Sequence, residues 1–445
     1  TMYCVFLGKA VQTVNPGAGS VGTSQLATDA VTTVKILDTA VTGAKLNDDA
    51  ISGQGALGAA PADTDEFLVS DAGVLKRVDY SYIKGITTAN FLPTALPLII
   101  NGNMAVAQRG TSVTGVTGGG YRTCDRVRLN PSSAGTWTVI QESLSSGNAY
   151  TDGFSNAYRI DCTTANASLG AASHIYANTR LEGQDLQVFK KGTANAEKFT
   201  LAFWVKCNKT GTGQVNLQDV DNTRMCSGTY AISSADTWEH KVINFAADTT
   251  GVLGNDNGHS LRIEWYLDSG SDYDSGTAPT AWEATATADQ NASGTLNLAD
   301  NTNNDWAVTG IQLEVGEYTS ATLPPFRHES YGANLLRCKR YYQQYPSTPA
   351  TDYFMGVGYC GSTSEGYVMI PFEVQLRDTP SITYGTTGSW LIQGQTATYI
   401  GNGSNPDNQV ELVQINSTGN LSAANDAAVG KANAVDALMK VSSEL

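Results

Sequence analysis

The sequence is short of charge, of histidine and of long apolar runs. Only 16% of its 445 residues are charged, and four are histidine. So little charge excludes a tail kept disordered by self-repulsion. No apolar run approaches the about 20 residues a membrane-spanning helix needs. The best, Phe91 to Ile100, is broken by Pro93 and Pro97. Basic residues are the scarcer sign, with 27 Lys plus Arg against 42 Asp plus Glu and a net charge of −15. Nucleic acid and anionic membranes select the opposite balance, so nucleic acid is excluded as a main partner. The seven cysteines (Cys4, Cys124, Cys162, Cys207, Cys226, Cys338 and Cys360) include no CxxC pair. That removes a zinc knuckle or a thioredoxin-like site, and the odd, scattered set reads as buried thiols assembled in a reducing cytoplasm. GxSxG, HExxH, Walker and GxGxxG patterns are missing as well.

What is abundant is glycine (45 residues), with much Ala, Thr, Ser and Asn. This is the composition of a turn-rich, all-β protein of a particle or an extracellular space. At the start, Tyr3-Cys4-Val5-Phe6-Leu7 precedes Gly8 and Lys9, the reverse of a signal peptide's order. It reads as the trailing strand (residues 1–19) of a domain that begins upstream.

Residues 20–60 hold a repeat. Val21, Leu26, Val31, Ile36, Val41, Leu46 and Ile51 recur at every fifth position. That spacing fits neither a continuous helix nor a strand. One apolar residue in five cannot form a core within one chain, whereas three chains around an axis can close one layer per position. Thr or Ser before each Lys or Gln offers an N-cap for a single helical turn, and the following Asp or Asn a break. A flexible Ala/Thr linker has no reason to keep that register. Residues 61–99 then read as a hairpin around Ser70-Asp71-Ala72-Gly73, plus a linker.

This order resembles the shafts of bacteriophage tail fibres. Two more stretches share the resemblance. Ile100-Asn101-Gly102-Asn103-Met104-Ala105-Val106-Ala107-Gln108-Arg109-Gly110, with Asp125-Arg126-Val127, is similar to the opening of a β-sandwich common in such fibres. Trp306 to Gly316, Pro325-Phe326-Arg327-His328 and Arg337-Cys338-Lys339-Arg340-Tyr341-Tyr342 are similar to its closing signature. The extra Thr322-Leu323-Pro324 departs from that pattern. The resemblance implies a virion tail protein, with phage tail or adaptor proteins as partners through an N-terminal part. It also implies a bacterial surface glycan or outer-membrane receptor at the far end.

The residues themselves indicate a jelly-roll sandwich over 100–328. Phe199, Leu201, Phe203, Val205 and Cys207 share one strand face. Leu261, Ile263, Trp265 and Leu267 alternate with Arg262, Glu264, Tyr266 and Asp268. In Trp306 to Val315, Ile311, Leu313 and Val315 point inward and Gln312 and Glu314 outward. Such sandwiches resemble carbohydrate-binding modules. Ser330 is the expected N-cap of a connecting helix in residues 329–345. Residues 346–445 return to strands as a smaller C-terminal β domain. There Val368, Ile370, Phe372, Val374 and Leu376 alternate, and Pro371 points to an edge strand or bulge.

The histidines have plain readings: His174 stands alone, His240 lies in a strand, His259 in a turn, and His328 at a packing or subunit contact. The acidic turn Asp268, Asp272 and Asp274 reads as solvated ahead of a calcium loop, which lacks EF-hand order, and of catalysis. No cofactor is expected. Sugar binding is the open chemistry, because Tyr and Trp stack on pyranose faces. Tyr353, Tyr359, Tyr367, Trp390 and Tyr399 are the candidates, with Tyr384 nearby. The reading is a non-enzymatic homotrimeric tail fibre of the virion that adsorbs reversibly to a surface glycan. Net acidity makes divalent cations or neutral sugar contacts the expected basis of binding. The alternatives are a tail-associated polysaccharide depolymerase, or a structural connector holding another receptor-binding subunit.

Overall fold

A computed structural model describes residues 61–72, 74–83, 96–346, 351–403 and 407–445, together with Tyr3, residues 17–22 and scattered positions between 24 and 58. The strand expected within residues 1–19 falls largely outside the described residues. The chain divides into two units, Thr1–Lys84 and Gly85–Leu445.

In the first unit the repeat makes a tight turn every five residues. The Ala30 N–H donates to Ala27 O at 3.0 Å, Lys35 to Thr32 at 2.9 Å and Ala40 to Leu37 at 3.0 Å. Val21, Leu26, Val31, Ile36 and Val41 are each about half exposed. A turn that closes on itself shelters no side chain, so a single chain leaves this apolar series uncovered. Leu46 and Ile51 lie outside the described residues. Glu66–Asp71 pairs antiparallel with Val74–Asp79, Glu66 facing Asp79 and Asp71 facing Val74. Ala72, at φ 49°, turns the chain between them.

The second unit is all-β, with a nine-residue helix between its two sets of strands. A seven-stranded antiparallel sheet runs in the order Glu283–Ala284, Arg224–Ile232, Gly211–Asp219, His259–Ser269, His174–Glu182, Arg128–Ser132, Gly120–Tyr121. A six-stranded sheet runs Glu239–Phe245, Phe199–Cys207, Asp305–Val315, Asn156–Thr164, Thr136–Ser143, Ser112–Val116. Their facing side chains, with Trp137, Trp265, Trp306 and Phe203 fully buried, form a single continuous core. Each buried aromatic side chain contributes roughly 2–3 kcal/mol by leaving water.

Strand Asp305–Val315 shows how the sequence sets its faces. Trp306 and Val308 point into the core, and then Ile311 and Leu313 do. A bulge between Thr309 and Gln312 inserts one residue, which exchanges the two faces of a period-two strand. Gly310 sits in the bulge at φ +61°, and a Cβ there would lie 2.7 Å from the Phe154 ring.

The helix is Tyr331–Lys339, and the Ser330 hydroxyl accepts from the Ala333 N–H at 3.3 Å as its cap. It buries Asn334 and Cys338, while Leu335 is only half-buried. Asn334 locks the opening and closing stretches together. Its Oδ1 accepts from the Asn101 N–H at 3.1 Å, and its Nδ2 donates to Asn101 and Asn103 at 3.2 Å. The Arg109 guanidinium lies 3.6 Å from the Tyr342 ring centroid, and that of Arg126 lies 3.5 Å from Tyr341.

Beyond the helix, Tyr342–Tyr345, Met439–Ser442 and Ser381–Tyr384 form a three-stranded sheet. Six strands close into a barrel in the order Tyr353–Cys360, Glu365–Pro371, Val410–Ser417, Gln395–Asn402, Trp390–Ile392, Ala427–Ala432. Here one expectation changes. Pro371 is neither on an edge nor in a bulge; it ends its strand opposite Val410. Val374 and Leu376 therefore lie past the strand. Six cysteines are buried and unpaired, Cys4 being outside the described residues.

Candidate functional site

The acidic turn is not a ligand cluster. Asp268 is buried, and its two carboxylate oxygens accept from the backbone N–H groups of Ser269 at 2.9 Å and Ala299 at 2.8 Å. Asp272 and Asp274 stand exposed on the single turn Ser271–Asp274. Among the described residues no three His, Cys, Asp or Glu side chains are placed to hold a metal ion.

The tyrosine candidates divide. Trp390 is fully buried in the barrel core, and a ring with no exposed face cannot stack on a sugar. Tyr359 and Tyr367 are cross-strand partners whose rings stack at 5.2 Å, 23° apart. Tyr399 stands opposite Asn416, itself opposite Glu365, so it shares their outer barrel wall. The Tyr367 hydroxyl donates to Glu365 at 2.9 Å. Tyr353, at the far end of its strand, lies about 20 Å from Tyr359 at the usual rise per residue. Tyr384 is half-buried, its hydroxyl donating to Asn402 at 2.7 Å.

A more strongly built site lies on the outer face of the seven-stranded sheet. Strand pairing places side chains there in rows. Arg128 faces Asn178, which faces Glu264. Asn130, Tyr176 and Tyr266 make the next row on one side, and Arg180 and Arg262 pair on the other. The floor is buried: Asn178 and Glu264 have no exposed surface, whereas Arg128, Tyr176, Arg180 and Arg262 are half-buried. The face that alternation in 260–268 marks as polar is thus a trough, not a solvated surface.

Several polar atoms of this trough have no partner in the protein. They include both amide atoms of Asn178, Asn130 Nδ2 and Arg180 Nε. Glu264 keeps an ion pair, its Oε1 lying 2.7 Å from Arg262 Nε. These atoms have no exposed surface, so the groups of this face that a ligand can touch are the half-buried Arg128, Tyr176, Arg180 and Arg262. Tyr176 stacks on Tyr266 at 4.9 Å and on His174 at 5.4 Å, giving one end an aromatic wall. The sheet's far side is closed by a loop: Gln214 donates to Asp289 O at 2.8 Å and Asn216 to Gln290 O at 2.7 Å.

The trough is positively charged within an acidic protein. Burial holds His259 down to about 3, helped by Arg180, Arg262, Arg126 and Arg377. Burial pushes Arg180 down as well, and Arg128 and Arg262 add to it. Like charges crowd only where something offsets them, and Glu264 is the one carboxylate in the three rows. Its own carboxyl is raised by burial and drawn back by Arg262 and Arg180. Arg180 already donates to Leu445 O, and Arg262 to Gln218 at 2.5 Å beside its pair with Glu264, so Arg128 is the guanidinium whose fork stays open to a carboxylate or sulfate, with Tyr176 beside it in the next row. Sequence reading overlooked the trough because its members come from three strands. The signal was the Arg262-Glu264-Tyr266 alternation.

No protein-family model and no curated protein sequence matches the chain. Among solved structures, the enzymatically active domain of tailspike protein 4 of bacteriophage CBA120 aligns at 8% identity and a TM-score of 0.24, over 49% of this chain and 21% of that one. The match therefore spans about a fifth of that tailspike domain's length. A family 11 carbohydrate-binding module from Clostridium thermocellum, in complex with a mixed-linked tetrasaccharide, aligns at 10% identity and a TM-score of 0.22. That match covers 47% of this chain and 98% of the module. Structural neighbours of the chain thus include a phage tailspike domain and carbohydrate-binding modules.

Proposed function

We propose that this chain is a homotrimeric phage tail fibre, carried on the virion tail, that adsorbs to an acidic glycan of the bacterial surface without cleaving it. The observation that carries the binding reading is the grouping of half-buried Arg128, Arg180 and Arg262 with Tyr176 on one sheet face. The uncovered apolar series of the repeat supports three-chain assembly, with phage tail proteins as the further partners. Hydrolysis with two carboxylates needs a pair flanking the bond. Glu264 stands alone in the rows and Asp268 is tied to backbone, which supports binding over cleavage. Three copies multiply weak contacts by effective concentration. The wall of Tyr359, Tyr367 and Tyr399 is a second contact in this reading.

Calorimetric titration with a uronic-acid-bearing surface polysaccharide, and with the same polymer after carboxyl reduction, tests the trough. Binding of the native polymer and at least tenfold weaker binding of the reduced one is expected; equal affinity overturns the acidic-glycan reading. New reducing ends on prolonged incubation overturn the non-enzymatic one. Sedimentation showing a monomer overturns the trimer.

A further inference from the structure

The six-stranded sheet carries a cleft of about 510 Å³ on its own outer face. Its floor is the cross-strand pair Trp204 and His240, whose rings lie 5.0 Å apart. Phe154, Phe326 and His328 form an aromatic cluster beside it. Phe326 meets Phe154 edge-on at 4.9 Å, and His328 lies 5.1 Å from Phe154 and 4.9 Å from Phe326. Leu323 and Pro324, from the stretch that departs from the tail-fibre pattern, add to the lining. The Gln312 amide donates to Pro324 O at 3.0 Å and fixes that stretch in place.

Charge decides what this cleft can take. Asp152 is the one charged side chain in its lining, which contains neither lysine nor arginine. Its Oδ2 accepts from the Trp204 indole N–H at 3.1 Å, which holds the carboxylate at the edge of the ring. Burial lowers His240, and this keeps it neutral near pH 7. The remaining lining is aromatic faces, Pro, Leu, Gln, Ser and Gly. Several ring faces around a lone carboxylate attract a cation by their quadrupoles and give an anion no donor.

We infer that this cleft binds an alkylammonium group, as in an amino sugar or a quaternary ammonium headgroup, at a site separate from the arginine trough. Glucosamine and choline represent the two sources. N-acetylglucosamine and 3,3-dimethylbutanol are their uncharged counterparts.

Ligand-observed NMR titration of the full chain with these four compounds tests the site. Saturable binding of choline or glucosamine, at least tenfold tighter than the uncharged counterpart, is expected. Choline alone assigns the cleft to headgroups, and glucosamine, alone or with choline, to amino sugars. Asp152→Asn keeps an oxygen for the Trp204 N–H and should weaken the cation tenfold while leaving the uncharged compound unchanged. Phe326→Leu removes one ring face and should weaken the cation several-fold. No saturation by either cation, equal affinity for the uncharged compounds, or an unaffected Asp152→Asn variant overturns the assignment. Acidic-polysaccharide binding by Asp152→Asn is expected to be unchanged, so failure here is distinguishable from failure of the trough.

Discussion

The two outer faces of the sandwich are opposites. One sheet presents three half-buried arginines over a buried amide floor. The other presents rings around a single carboxylate. Both are built on neighbouring antiparallel strands of the same fold, so the architecture sets where side chains stand and not what they recognise. A face of arginines favours an anion, whereas rings around a carboxylate favour a diffuse cation.

The largest effect that separates the faces is expected from the double substitution Arg128→Ala and Arg180→Ala. It should cut acidic-polysaccharide affinity about a hundredfold, since charged hydrogen bonds contribute roughly 1.5–3 kcal/mol each. Ammonium binding by NMR should not change, and a parallel loss would show that the faces are coupled. Next is Gly310→Ala. Its Cβ must displace the Phe154 ring and adopt a left-handed backbone, costing about 2 kcal/mol and lowering the unfolding temperature by several degrees in calorimetry. The cleft should lose its cation while the trough keeps its glycan.

Acidity gives a finer test. The Glu264 carboxyl is raised by burial, so it takes up a proton at a higher pH than an ordinary glutamate. As pH falls, the trough therefore loses negative charge earlier than an ordinary glutamate would allow, and acidic-glycan affinity should rise about threefold. Glu264→Gln should remove this slope, and a slope that persists would place its origin elsewhere. The smallest effect expected lies outside both faces. Burial raises Glu411, inside the barrel, to about 7 from a usual 4.5. The folded barrel therefore keeps a proton that the unfolded chain has released between those values, and stability falls as pH rises through that window and then levels. Glu411→Gln should raise the unfolding temperature by about 2–4 °C at pH 8 and leave it unchanged at pH 4.

The sandwich was legible because burial writes itself along a strand. Phe199 to Cys207 shows its inward set in the sequence, and Ser330 shows its cap. Even the exchange of faces at Gly310 leaves a trace, as Trp306 and Val308 give way to Ile311 and Leu313. The trough was not legible, since Arg128, Asn178 and Glu264 meet only through strand register, a relation between distant segments. Net charge could not point to this face, because an overall −15 says nothing of three arginines held together. Trp390 failed for a local reason: a barrel lumen needs a large ring as much as a binding wall does. Tyr359, Tyr367 and Tyr399 differ from it only in parity, which bulges such as that between Ala397 and Tyr399 shift.

The closed ring of six strands has one more effect. An open sheet ends in a row of backbone groups that a neighbouring chain can extend, whereas a ring spends them all on itself. Copies crowded side by side then meet at the barrel through side chains, so strand-to-strand pairing between them is left to the edges of the neighbouring three-stranded sheet.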